Sequence, residues 1–126
     1  MRLLAHIVLA ATLAFSAPAL AFEIKPYDAA QVQTAIASGK PVVVHVFAPW
    51  CLQCRAQENI LKRLSAAGTY DNMAFFRVNY DQQKDAVKAL DVPRSTLIAF
   101  KGGKETGRMS WGVSEDSVVK VLATAE

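Results

Sequence analysis

Apolar residues along this chain change their period several times, and each change marks an element. Val42-Val43-Val44-His45-Val46-Phe47 is β-branched and almost continuous rather than alternating, the pattern of a strand buried on both faces. Past Cys54 the spacing turns helical, with Ile60, Leu61, Leu64 and Ala67 at three- and four-residue steps before a stop at Gly68. Upstream, Phe22 to Lys25 reads as a short strand, and Asp28 as the cap of a helix from Ala29 to about Ala37 that ends at Ser38-Gly39. Downstream, Met73 to Asn79 is another strand, and Gln82 to Leu90 a helix with Ala86, Val87 and Leu90 on one face. Thr96 to Phe100 and Glu105 to Trp111 form a hairpin around Lys101-Gly102-Gly103-Lys104. A last helix is capped by Ser114 and carries Val118, Val119, Val121 and Leu122. The order β-α-β-α-β-α-β-β-α predicts an α/β fold: a mixed central sheet of about four or five strands with helices on both faces.

The first 21 residues have a different character. Met1-Arg2 is a short positive start, Leu3 to Phe15 is apolar apart from His6 and Thr12, and Ala19-Leu20-Ala21 fits a small-x-small cleavage site. A retained membrane anchor is the alternative. A spanning helix needs about 20 apolar residues, and Pro18 with the return to polar sequence at Glu23 argues against one; no cysteine near the cleavage site could carry lipid. The expected organisation is a cleavable signal over residues 1–21 and one domain over residues 22–126, exported to the periplasm, an oxidising compartment.

Composition narrows the function classes. The 126 residues are 52% apolar, ample for a single core. The formal charge is +3, from 14 basic and 11 acidic residues, so no basic face argues for nucleic acid. The chain shows no repeats, low-complexity tract or interior linker.

Its chemistry is concentrated in Phe47-Ala48-Pro49-Trp50-Cys51-Leu52-Gln53-Cys54-Arg55, which holds the only two cysteines, spaced C-x-x-C, where a buried strand hands over to a helix. Such a pair reads as a redox dithiol. Unpaired N–H groups at the helix start favour negative charge, so Cys51 is the more readily ionised thiol. A purely structural bridge is the first alternative, though so short a loop constrains little of the unfolded chain. The second is a metal site: with His45 the only histidine after residue 21, one chain cannot build a closed four-ligand zinc site, which leaves a site shared between subunits.

Several segments outside the cysteines point the same way. The approach Phe47-Ala48-Pro49-Trp50-Cys51, the segment Arg77-Val78-Asn79-Tyr80-Asp81, the run Thr96-Leu97-Ile98-Ala99-Phe100-Lys101-Gly102-Gly103, and Gly112 occur in the order found in thioredoxins, and residues 22 to 126 resemble that family throughout. The resemblance implies a thioredoxin-like fold in which Cys51 is the exposed nucleophile and Cys54 the more buried resolving thiol. It also implies that Trp50 shields one side of the pair, and that Ser95, Thr96 and Gly112 line the substrate-binding face. No cofactor and no metal are expected.

Three departures from the family pattern carry information. His45 stands where thioredoxins have a buried aspartate, so it is either the general base and acid for Cys54 or a hydrogen-bonded core residue. Ser95 stands where the family has a cis-proline, in a loop one residue shorter. A non-proline cis bond costs about 2.5–4 kcal/mol, so Arg94-Ser95 is expected to be trans, offering the Ser95 hydroxyl to thiolate or substrate and leaving the dithiol face more open. The pair Leu52-Gln53 carries no charge or histidine, which leans toward a reductant. Arg55 is read as a solvated helix residue, and Trp111 as either core or docking surface.

The resulting expectation is a monomeric protein-disulfide reductase acting on disulfide-containing exported proteins, recharged by an integral membrane thiol-electron transporter. A dithiol oxidase and a redox-linked metal carrier or binding module are the alternatives.

Overall fold

In the computed structural model, which describes residues 22–126, nine elements follow the predicted order; the expected signal segment lies outside the described residues. They are β1 (Ile24–Pro26), α1 (Ala29–Ala37), β2 (Val42–Phe47), α2 (Leu52–Ala66), β3 (Ala74–Asn79), α3 (Lys84–Leu90), β4 (Thr96–Lys101), β5 (Lys104–Ser110) and α4 (Glu115–Ala123). The strands form one sheet in the order β1-β3-β2-β4-β5. β3 runs parallel to both β1 and β2, whereas β4 is antiparallel to both β2 and β5.

Local chemistry explains most boundaries. Asp28 caps α1 by accepting the Gln31 N–H at 2.9 Å, and Ser114 caps α4 by accepting that of Ser117 at 3.2 Å. α2 ends in a Schellman turn: Gly68 takes φ +70°, and the Thr69 N–H reaches the Leu64 carbonyl at 3.4 Å. Gly102 and Gly103, at φ +60° and +81°, make the two-residue turn that right-twisted hairpins prefer.

Several boundaries differ from expectation by one or two residues, and three of them have a local cause. Phe22 is not paired into the sheet; it is buried and stacks on Phe75, with ring centroids 3.8 Å apart. α3 starts at Lys84 because Gln83 ties down the preceding turn, accepting the Asn79 N–H at 2.8 Å and donating to the Tyr27 carbonyl at 2.9 Å. β5 stops at Ser110 because Trp111 takes a left-handed backbone, φ +70°.

Each face of the sheet is covered by a helix pair. Val43, Phe75, Leu97 and Ala99 pack with Ile60, Leu61 and Leu64 of α2 and Val118, Val121 and Leu122 of α4. On the other side Val42, Val44, Val46, Phe76, Val78 and Ile98 meet Val32 of α1 and the half-buried Ala86, Val87 and Leu90 of α3. Strand alternation therefore turns His45 toward α2.

This topology decides where chemistry can occur. The register sets Phe47 beside Asn79, Val46 beside Thr96, and Thr96 beside Ser110. The ends of β2, β3 and β5 and the start of β4 thus meet at one edge, which gathers Cys51, Tyr80, Asp81, Ser95 and Trp111.

Core and surface leucines should respond oppositely to truncation. Leu97→Ala, at a fully buried position on β4, should cost about 2–5 kcal/mol in urea unfolding. Leu52→Ala, at a position 73% exposed, should change stability by no more than about 0.5 kcal/mol.

Candidate active site

The handover from β2 to α2 builds the site. The Cys51 N–H bonds the Ala48 carbonyl at 3.1 Å, closing a turn, and Cys51 takes the extended N-cap conformation. Its sulfur does what a serine or aspartate does at other helix starts, accepting the Cys54 N–H at 3.2 Å. The first turn of α2 holds no acidic residue to compete for the helix N–H groups. Cys51 and Cys54 are joined as a disulfide with Cα atoms 5.3 Å apart, inside the ordinary range for such bonds.

Cys51 was expected to be exposed, and here the geometry corrects the expectation. It is only 2% accessible and Cys54 is fully buried, because the Cys51 sulfur is turned inward as a cap and Ser95 lies against it. The Ser95 hydroxyl is 3.0 Å from each sulfur. Disulfide sulfurs carry no hydrogen, so the hydroxyl is the donor and can serve one sulfur at a time. The Arg94-Ser95 bond is trans, as expected, since no cis peptide bond occurs among the described residues. The face is not more open for it: Ser95 is fully buried and touches sulfur, not solvent.

Ser95 is held in place from three sides. Its N–H bonds the Val46 carbonyl at 2.9 Å, and its carbonyl accepts the Trp111 N–H at 2.8 Å and the Gln57 side-chain amide at 3.0 Å. Ser95 and Trp111 are both left-handed, φ +58° and +70°, which costs a non-glycine residue about 1–2 kcal/mol. These anchors hold the strained pair against the disulfide.

Gln57 is the site residue that sequence reading missed. Fully buried on α2, it donates from Nε2 to the carbonyls of Ser95 and Gly112, at 3.0 and 2.8 Å, and presents Oε1 to His45 Nε2 at 3.0 Å. Two carbonyl acceptors fix the amide orientation, so His45 must carry its proton on Nε2. The signal was available: stepping back from Ile60 and Leu61 by three and four residues lands on Gln57, a polar residue on the buried stripe. The same stepping finds Glu58, which pairs with Arg77.

His45 makes no hydrogen bond to either sulfur. Its Nε2 is committed to Gln57, and its Nδ1 is buried without a partner. Desolvation lowers its pKa to about 4, a shift that the Gln57 bond and the nearby Glu58 partly oppose and the Arg77 charge reinforces. At neutral pH it is an uncharged, hydrogen-bonded core residue.

The remaining candidates fall into two groups. Thr96 is fully buried, its hydroxyl 2.7 Å from Ser110 Oγ and 3.0 Å from the Pro93 carbonyl, so it shapes the loop from within. Gly112 belongs to the Gln57 network, and a Cβ there would meet Met109 Sδ at 2.6 Å and Ser117 Oγ at 2.7 Å. Trp50 and Trp111 are on the surface, 56% and 43% exposed. Trp50 donates to Asp81 at 2.8 Å and sits edge-on to Tyr80. Arg55 is exposed, and no group of three or more potential metal ligands occurs among the described residues.

The neutral state of His45 ties stability to pH. Folding lowers its pKa from 6.5 to about 4, so between those values only the unfolded chain takes up the proton and stability falls as the pH is lowered. The His45 share of that loss is about 1.4 kcal/mol per pH unit and about 3 kcal/mol in all. Urea unfolding from pH 7 to pH 4 should show this slope, and His45→Leu should lack it. The imidazole carbon resonance of His45 should titrate near pH 4; a midpoint near 6.5 would refute a buried neutral ring.

Comparison with known proteins places this geometry. The family model described as Thioredoxin matches residues 23–124. Thioredoxin-2 of Saccharomyces cerevisiae is 36% identical over 99 residues, covering 77% of this chain and 92% of that protein. Thioredoxin of Alicyclobacillus acidocaldarius is 33% identical over 76 residues, covering 60% of this chain and 71% of that one. Among solved structures, Trxlp from Edwardsiella tarda EIB202 superposes with a TM-score of 0.74 at 37% identity, covering 79% of this chain and 98% of that chain. The chain belongs to the thioredoxin family, and Cys51 and Cys54 are the redox pair of a thiol-disulfide oxidoreductase.

Proposed function

We propose that the protein is an envelope disulfide reductase: a monomer that reduces disulfides of exported proteins in the periplasm and is recharged by an integral membrane thiol transporter. The observation that carries the reducing direction is that no charged group is hydrogen-bonded to the nucleophile. The Cys51 sulfur is met by one backbone N–H and one hydroxyl, and Leu52-Gln53 adds no charge, so the thiolate has less support than in strongly oxidising pairs. The leader-like residues 1–21 support the location.

The cycle is a two-electron exchange. Cys51 thiolate attacks one sulfur of a substrate disulfide; a Cys51–substrate S–S bond forms, and the second substrate sulfur leaves as thiolate and takes up a proton. Cys54 then gives up its proton and attacks Cys51, closing the protein disulfide and releasing the first substrate sulfur as a thiol. Two electrons pass to the substrate, and the membrane partner returns them. In the disulfide Ser95 Oγ is 3.0 Å from both sulfurs; in the reduced pair the same hydroxyl can donate to the Cys51 thiolate while accepting from the Cys54 thiol, and the proton that Cys54 gives up on resolution goes to the departing substrate sulfur. His45 then acts as a neutral positioning residue, through Gln57, rather than as the base.

A second reading, a dithiol oxidase, is favoured by the same hydroxyl, because a hydrogen bond to the thiolate stabilises the reduced protein and makes the disulfide a better oxidant. The reduction potential in a glutathione buffer decides between them. A value near about −270 mV supports the reductase, and one near about −120 mV assigns the oxidase.

Ser95→Ala removes a hydrogen bond to a charged group, worth about 1.5–3 kcal/mol. Thiol exchange at pH 7 should slow by about ten-fold or more, with fold and disulfide intact. An unchanged rate would remove Ser95 from the mechanism.

A further inference from the structure

Beside the dithiol lies a cation that the exchange chemistry leaves unused. Arg94 precedes Ser95, and its guanidinium carbon is 4.9 Å from the ring centroids of both Trp50 and Trp111, within cation–π range of each. The Trp50 indole is anchored by its bond to Asp81, and the backbone of Trp111 is anchored by its main-chain N–H on the Ser95 carbonyl. The other arginines seen in ion pairs have carboxylate partners: Arg63 with Glu115, Arg77 with Glu58, and Arg108 with Glu105. Among the described residues no carboxylate pairs with Arg94, and its Nε is buried without any hydrogen-bond partner.

We propose that Arg94, clamped between Trp50 and Trp111, is a subsite that reads a carboxylate side chain next to the reacting cysteine of a protein substrate. The proposal rests on the reading above that Cys51 and Cys54 exchange disulfides with other proteins, and it adds the substrate class: segments with an acidic residue within about two positions of the cysteine. With its carbon 4.9 Å from each of two indole rings and its Nε buried, the guanidinium keeps its terminal amino groups as the donors for a carboxylate, which such a planar pair can bind with two hydrogen bonds. Each ring lies within cation–π range of the guanidinium and so holds the charge in place for a partner. The guanidinium lies against the ring of Trp50, the residue before Cys51, and Arg94 adjoins Ser95, which touches both sulfurs, so an acid bound there belongs to the chain segment being exchanged. Leu52, which follows Cys51, and Val113, two residues after Trp111, add exposed apolar side chains, 73% and 52% accessible.

The test uses two amide-capped peptides that are identical except for Glu or Gln two residues from a cysteine, each prepared as a symmetrical disulfide and as a free thiol. Exchange rates are measured with the reduced protein on the disulfides and with the oxidised protein on the thiols. Both directions pass through the same mixed disulfide, so the acid-to-neutral ratio is read whichever way the redox equilibrium lies, and a failure of the reductase reading shows separately in the absolute reduction rate. The ratio should be about ten for the natural protein, fall toward one in Arg94→Gln, take an intermediate value in Arg94→Lys, and favour a lysine-bearing peptide in Arg94→Glu. A ratio near one in the natural protein, or a ratio that survives in Arg94→Gln, overturns the proposal, and the first of these needs no variant to fold.

Discussion

A single buried amide holds the working end of this molecule together. Gln57 uses both side-chain N–H groups and its oxygen, on partners from three other parts of the chain: His45 on β2, Ser95 before β4, and Gly112 after β5. Leaving any of those groups unpaired in the core would cost about 1–3 kcal/mol, so the arrangement is close to all-or-none. It decides the tautomer of His45, keeps the Ser95 loop in its strained backbone, and seats the turn carrying Trp111. The hydroxyl that meets both sulfurs is positioned by that network rather than by packing alone.

The contrast between Glu58 on α2 and His45 on β2 shows why the network matters. Glu58 has an ionic partner in Arg77, and Arg77 in turn lies over the Phe47 ring at 4.8 Å. His45, more completely buried, has only an uncharged amide for a partner, and desolvation lowers its pKa to about 4. Gln57 thus gives His45 a neutral, hydrogen-bonded partner, while the next residue, Glu58, makes an ionic contact with Arg77, the register neighbour of His45 on β3.

Much of this was legible from residues alone, for identifiable reasons. The continuous valines of β2 and the three-four spacing of α2 are strong patterns, and capping residues placed α1 and α4 within a residue of where they are found. The cysteine pair and the position of Ser95 were legible because sequence order alone defines them. Three features were not. The inward turn of Cys51 depends on which group fills the space opposite, which only the folded loop shows. His45 was read as either base or core residue, and its partner on a different element decided the matter. Gln57 was overlooked because a glutamine among exposed helix residues looks ordinary until the stripe is counted through it.

The two outer strands bear on how the protein behaves at high concentration. Any sheet edge is a row of unpaired backbone groups that a second chain can extend into a growing stack. Here β1 is three residues long and ends in Pro26, which has no N–H to offer. β5 carries Lys104, Glu105 and Arg108 and shifts register opposite Ala99 and Phe100, breaking the regular ladder. The sheet is therefore bordered by strands that resist being recruited into another chain's growing stack, while its exposed tryptophans, Trp50 and Trp111, lie at the end where the disulfide is.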